Sequence, residues 1–210
     1  DPLPTRVPSR SGQIVVTGQD SRLISNDDTF TVGGGGAASG IRGTFTVQHG
    51  GAAELNGEFV VGNELFDVGV VTVTNQHSSL RVIGDVELGK KGEGNLTVSA
   101  GGELAVYGEV KEGAEKGAPI TSDGDTFTGA GTQVDIHGEW QIGVAVGRGA
   151  PIRPGAPIEV DGALTLGVED GGIGNLTVQG QDTTLTEAAG NEEVVIGQGG
   201  VGILRVAQDA

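Results

Sequence analysis

The chain repeats one phrase: apolar-x-apolar-Gly, a glycine-rich stretch, then apolar-Thr-Val or a near variant. Val86-Glu87-Leu88-Gly89 leads to Gly94-Asn95-Leu96-Thr97-Val98. Leu164-Thr165-Leu166-Gly167 leads to Gly174-Asn175-Leu176-Thr177-Val178, and Val194-Val195-Ile196-Gly197 leads to Gly202-Ile203-Leu204-Arg205-Val206. Self-similarity of this kind belongs to stacked solenoids, in which each repeat buries its apolar side against its neighbours. The repeats can be registered on one valine: Val16, Val47, Val73, Val98, Val178 and Val206. The steps from Val47 to Val73 to Val98 are 26 and 25 residues, and from Val178 to Val206 the step is 28.

Composition decides what such a stack can be made of. Glycine supplies 41 of 210 residues, against a usual share of about 7%. Proline is ordinary at 7, which argues against a collagen or a disordered Pro/Gly tract. Aromatic residues number only 7, so the core must be built from stacked Val, Leu, Ile and Ala. Without cysteine there are no disulfides or thiolate metal sites. Methionine is absent too, so a processed chain or an excised fragment is expected. No apolar run approaches the ~20 residues that span a bilayer, and no membrane insertion by this segment is expected. The net charge of −16 repels phosphate backbones and anionic lipid, which excludes nucleic acid as an expected partner.

Short segments of β-formers separated by Gly, Asn and Asp begin at Ile14, and no stretch holds a helical apolar period. The expected fold is all-β: a parallel β-helix (β-solenoid) of about six to seven coils, stacked at ~4.8 Å, with a loop insertion near the middle. Residues 1–13, with Pro2, Pro4 and Pro8, read as an extended lead-in, and 14–210 as the solenoid. The phrase Gly18-Gln19-Asp20-Ser21-Arg22-Leu23 returns as Gly180-Gln181-Asp182-Thr183-Thr184-Leu185, and Val206-Ala207-Gln208-Asp209 starts it again, so further coils are expected beyond 210. Gly94-Asn95 and Gly174-Asn175 read as corner residues, because Gly and Asn tolerate left-handed backbone. Both pairs also begin Asn-x-Thr patterns, read here as a turn Asn before a strand Thr rather than as glycosylation acceptors. Residues 109–158 break the period and carry Gly-Ala-Pro-Ile at 117–120, 149–152 and 155–158, as expected of coils with insertions. Insertions in solenoids gather on one face, often the binding face.

Few residues form constellations with chemical meaning. Asp135 and His137 share strand parity, with Val134 and Ile136 on the other side. A carboxylate beside an imidazole can act as a general base or hold a metal, but a solvated strand face reads the same way. Asp123-Gly124-Asp125 resembles part of a calcium loop, yet lacks the further ligands and the terminal Glu of an EF-hand. Gly171-Gly172-Ile173-Gly174-Asn175-Leu176 has Leu where the calcium-binding β-roll repeat needs Asp. Gly33-Gly34-Gly35-Gly36 has no following Lys-Ser/Thr or helix, so it reads as a corner and not as a phosphate cradle. Lys90-Lys91, His49 and His77 read as solvated corners, and Trp140, with the parity of Val134 and Ile136, as core. No catalytic residue, metal or cofactor is expected.

The repeated phrase resembles the Ile-Gly-x-Gly-x-Gly-x-Leu-x-Val repeats of autotransporter passenger domains. Residues Ile196 to Val206 come close to it with one extra residue, and Leu88 to Val98 and Leu166 to Val178 are looser cases. The resemblance covers most of 14–206 and implies a type V secreted or cell-surface β-helix of a Gram-negative bacterium. No terminal aromatic of an outer-membrane barrel is present at Ala210. The expected function is a structural or adhesive passenger segment that displays surface loops. Its partners would be a host or neighbouring-cell surface protein or glycan, or further copies of itself. The alternatives are a polysaccharide-acting β-helix enzyme, with Asp135 and His137 at its centre, and a self-assembling structural repeat.

Overall fold

The computed structural model describes residues 10–34, 40–113, 125–144, 151–152, 156–179, 183–187 and 193–207. These residues form strands joined by turns, with no helix among them. Each coil of the chain lays down three strands. The first coil comprises β1 (Ser11–Thr17), β2 (Arg22–Ser25) and β3 (Thr29–Val32); the second β4 (Arg42–Gln48), β5 (Ala52–Leu55) and β6 (Glu58–Val61). The third is β7 (Val68–Thr74), β8 (Ser79–Val82) and β9 (Val86–Leu88); the fourth β10 (Glu93–Ser99), β11 (Glu103–Val106) and β12 (Val110–Glu112). The fifth is β13 (Thr126–Thr128), β14 (Gln133–Ile136) and β15 (Trp140–Ile142); the sixth β16 (Pro151–Ile152), β17 (Ile158–Val160) and β18 (Leu164–Leu166). β19 (Ile173–Gln179), β20 (Leu185–Glu187) and β21 (Val194–Ile196) make the seventh, and β22 (Val201–Ala207) opens another.

Strands in equivalent positions pair in parallel with the coils before and after. The result is three sheets of 8, 7 and 7 strands among the described residues, here sheets I, II and III in chain order. The molecule is thus a three-sided parallel β-solenoid. Period-2 alternation sets which residues face the axis. In β4, β7 and β10 the second, fourth and sixth residues are buried, and in β8, β11 and β14 the second and fourth. Each regular coil therefore sends six apolar side chains inward, two from each sheet. In the third coil these are Val71, Val73, Leu80, Val82, Val86 and Leu88, all nearly solvent-free. The second coil uses Phe45 and Phe59, which pack with Phe30 and with each other at centroid distances of 5.3–6.4 Å.

The valines chosen as register marks all stand in one ladder of sheet I. Val16 pairs with Val47, Val47 with Val73, Val73 with Val98, and Val178 with Val206. Two positions in the irregular stretch complete the column: Phe127 opposite Val98, and Ile152 opposite both Phe127 and Val178. The coils therefore run through 109–158, where β12 to β17 keep their pairing partners.

Two expectations are corrected. β1 begins at Ser11, not at Ile14, because Ser11 and Gly12 continue the pairing with Arg42 and Gly43. Gly94-Asn95 and Gly174-Asn175 are not corners; they lie inside β10 and β19. The glycines are needed there for space: a Cβ on Gly94 would sit 2.3 Å from the backbone nitrogen of Gly89, and one on Gly174 2.3 Å from the carbonyl oxygen of Ile142. The corner residue is the glycine that ends each apolar-x-apolar-Gly phrase. Gly33, Gly62, Gly89, Gly113, Gly143, Gly167 and Gly197, one per coil, all have φ between 66° and 78°. This left-handed backbone costs an L-residue about 1–2 kcal/mol, which is why the phrase ends in Gly every time.

Candidate functional site

The three corners differ in how much chain they carry. From sheet I to sheet II the connections run three to five residues, and from II to III two to three, rising to six in the seventh coil. From III to I they range from four residues (89–92) to thirteen (113–125), with nine at 33–41 and eight at 143–150. Each of these begins with the left-handed glycine, so the chain always leaves sheet III in the same direction, whatever follows. The III-to-I corner is the edge along which this solenoid accepts insertions.

The thirteen-residue connection is bracketed by two carboxylates in core positions. Glu112, the last residue of β12, stands in the ladder otherwise held by Val61, Leu88, Ile142 and Leu166. Asp125, immediately before β13, follows the same register opposite Leu96. Both are buried, at 5% and 3% exposure. Leu96 N–H donates to Asp125 Oδ1 at 2.7 Å, the Trp140 indole N–H donates to Glu112 Oε1 at 2.9 Å, and the two carboxyls are hydrogen-bonded to each other. The space beside them is about 10 Å³, room for no more than one water. Burial pushes Glu112 well above the carboxylate range, and the nearby charge of Asp125 pushes it further; the Trp140 hydrogen bond opposes this. Burial likewise raises Asp125 to about 7, against the opposing hydrogen bonds of Leu96 and Glu112. Two carboxylates without a hydration shell cannot both be charged cheaply.

Asp125, the second carboxylate of the partial calcium-loop pattern, has its side chain in the core, while Asp123 lies outside the described residues. Trp140 is core, as its parity requires, with 0% exposure and its ring edge-on to Phe127. Glu112 was missed because Val110-Lys111-Glu112-Gly113 reads as polar at its third residue, where the repeated phrase has an apolar one. That mismatch was the available signal.

Asp135 and His137 are separated in role. Val134 and Ile136 fill the core, as alternation requires. Asp135 accepts a hydrogen bond from the Gln133 side chain. The imidazole Nδ1 of His137 instead lies 2.5 Å from Asp161 Oδ2, one coil further on. The His137 ring also packs against Tyr107 at 4.5 Å, and the Arg81 guanidinium lies over the same Tyr107 ring at 4.6 Å. Tyr107, His137 and Asp161 thus form a column along the edge where sheet II meets sheet III, and Arg81, from within β8, reaches over to Tyr107. His137 and Asp161 are each 38% exposed, so the pair meets solvent on an open face.

The remaining candidates lie at turns and corners. His49 and His77 are exposed turn residues with φ of 53° and 66°. Lys90 pairs with Glu87 at 2.7 Å, and Lys91 reaches Glu64 at 3.9 Å. Gly33 is the corner glycine of the first coil; Gly35 and Gly36 lie outside the described residues, as do Gly180, Gln181 and Asp182. Among the described residues no group of three or more His, Cys, Asp or Glu is arranged to hold a metal.

One surface stands apart in charge. On sheet I, Thr46, Thr72, Thr97 and Thr126 share a register column. Beside it run Thr74, Ser99 and Thr128, with Ser99 Oγ donating to Thr74 Oγ1 at 3.1 Å. The corresponding face of sheet II carries Arg22, Glu54, Arg81, Glu103, Asp135 and Glu159. A chain with 40 charged residues thus leaves the middle of one face as an uncharged hydroxyl ladder.

In comparisons with known proteins, no family model, no curated protein and no solved structure matches this chain.

Proposed function

We propose that this chain is a segment of an extracellular or cell-surface passenger: a rigid rod that displays surface loops for binding to a protein or glycan on a host or neighbouring cell. The observation that carries the reading is the gathering of long connections at the III-to-I corner while the ladders on either side stay in register. A scaffold that tolerates thirteen residues at a corner where four suffice holds its core apart from whatever those residues contact. The uncharged hydroxyl ladder of sheet I offers a second, flat surface of the kind that meets a neutral polar partner. The likeness of Ile196 to Val206 to autotransporter repeats supports export by the type V route.

The test is a variant with residues 114–124 replaced by Gly-Ser-Gly. Binding of labelled protein to intact epithelial and bacterial cells and to an array of neutral and acidic glycans is then compared with that of the parent chain. The reading expects at least one bound surface, an unchanged β-sheet circular dichroism spectrum and a loss of binding of about tenfold, or ~1.4 kcal/mol. No binding by the parent chain to any of these surfaces overturns it.

The His137–Asp161 pair favours one second reading, a glycan-cleaving enzyme. Release of reducing ends from any array glycan, abolished by His137→Ala, would establish that reading in place of display.

A further inference from the structure

We propose that Glu112 and Asp125 form a proton-dependent lock in the core, holding the fourth and fifth coils together while they share a proton and loosening them when both ionise. The geometry allows few other outcomes. The two carboxyls replace aliphatic rungs in adjacent coils, they touch each other, and among the described residues their other donors are one indole N–H and one backbone N–H. The surrounding wall is apolar, with Phe59, Leu88, Leu104, Val110 and Phe127 closing on a space too small to hydrate two charges. Among the described residues, the charged groups of the strands packed around the pair are Glu58, Glu87, Glu93, Glu103, Lys111 and Asp135, and all stand at outward-facing or partly exposed positions. Lys111, the one base among them, pairs with Glu109 at 2.5 Å.

A lone buried carboxylic acid can be satisfied when neutral, and one shared proton satisfies two. Glu112 then donates to Asp125, which also accepts from Leu96, and the other Glu112 oxygen accepts from Trp140. Removing that last proton leaves two like charges in contact within a low-dielectric core. Both groups are raised in the folded state, so the folded coils bind more protons than the unfolded chain. The stability this pair contributes is complete below the ordinary values of 3.8 and 4.5 and is lost as pH rises through the folded values, about 7 for Asp125 and well above the usual range for Glu112. The direction is the reverse of ordinary acid denaturation.

Trp140 is the only tryptophan and donates directly to Glu112, so its fluorescence reports the lock. Emission is followed from pH 4 to 9 alongside amide hydrogen exchange corrected for intrinsic rates. The proposal expects a Trp140 transition with a midpoint at or above neutral pH, absent in Glu112→Gln and displaced downward by about one unit or more in Asp125→Asn. It also expects amides of β12 and β13 to exchange about tenfold faster at pH 8 than at pH 5, with β5 and β8 unchanged. A transition that persists in Glu112→Gln overturns it. So does equal acceleration in β5 and β8, which would assign the effect to the chain-wide charge of −16. Should the isosteric variants fail to fold, the double variant Glu112→Leu/Asp125→Leu restores the aliphatic rungs and must abolish both signals.

Discussion

The corner between β9 and β10 and the corner between β12 and β13 are built alike up to their glycines. Leu88-Gly89 and Glu112-Gly113 end equivalent strands, with φ of 66° and 68°. Beyond that point they part. The first crosses in four residues and places Leu88 and Leu96 in the core; the second takes thirteen and places Glu112 and Asp125 there. At these two positions a regular coil is held by apolar burial, worth ~1.5–3 kcal/mol for each fully buried aliphatic side chain. The fourth and fifth coils replace one such contribution each with a polar contact whose value depends on a proton. The solenoid keeps its register across an interruption in its core chemistry, because pairing on either side continues through sheets II and III.

Breaking this comparison starts with Trp140. Trp140→Ala opens a large cavity and strips Glu112 of its indole donor, and should destabilise the fold by about 3–5 kcal/mol in urea unfolding at pH 5.5. A loss no larger than that of Leu88→Ala at the same pH would mean that the indole contributes packing alone. Next is Glu112→Leu/Asp125→Leu, which makes the irregular corner resemble the regular one. It should stabilise the chain by about 1–4 kcal/mol at pH 8 and by much less at pH 5, because the shared proton already satisfies the pair in acid. A gain independent of pH would show that the cavity, and not the charge, sets the cost.

Smaller effects sharpen the account of the glycine corner. Gly62→Ala and Gly89→Ala both force an L-residue to positive φ, at about 1–2 kcal/mol each. The new Cβ on Gly62 would also lie 2.3 Å from the carbonyl oxygen of Glu93, whereas on Gly89 the nearest atom is 3.3 Å away. Gly62→Ala should therefore lower the melting temperature more than Gly89→Ala, and equal shifts would leave φ as the only cause. Smallest is His137→Ala. Its contact with Asp161 is exposed, so the change should cost no more than ~1 kcal/mol in the same unfolding assay. A larger loss would make the Tyr107–His137–Asp161 column part of the structural frame.

Much of the ladder was legible because stacking demands like residues at like positions. Each valine used as a register mark lands in one column of sheet I. The missing rungs, Phe127 and Ile152, were hidden because the chain between them varies in length, and no local pattern tells which residue resumes a register. Glycine was legible as a necessity but not in its roles. Gly89 is a matter of φ and Gly94 a matter of space, a distinction that depends on how closely the next coil's backbone approaches. The partner of His137 was out of reach for the same reason: Asp161 is 24 residues away in the chain and one rung away in space.

Sequence alone determined that this chain stacks, that it does so with short parallel strands, and that the stack needs glycine once or more in every coil. Those follow from residue period and backbone sterics, which act over a few neighbours. Only the tertiary structure decided that the stack has three sides, that the long connections share one corner, and that Glu112 and Asp125 meet in the core. Burial and charge proximity are properties of residues brought together from different coils, and a carboxylate reads the same in sequence whether it faces water or another carboxylate.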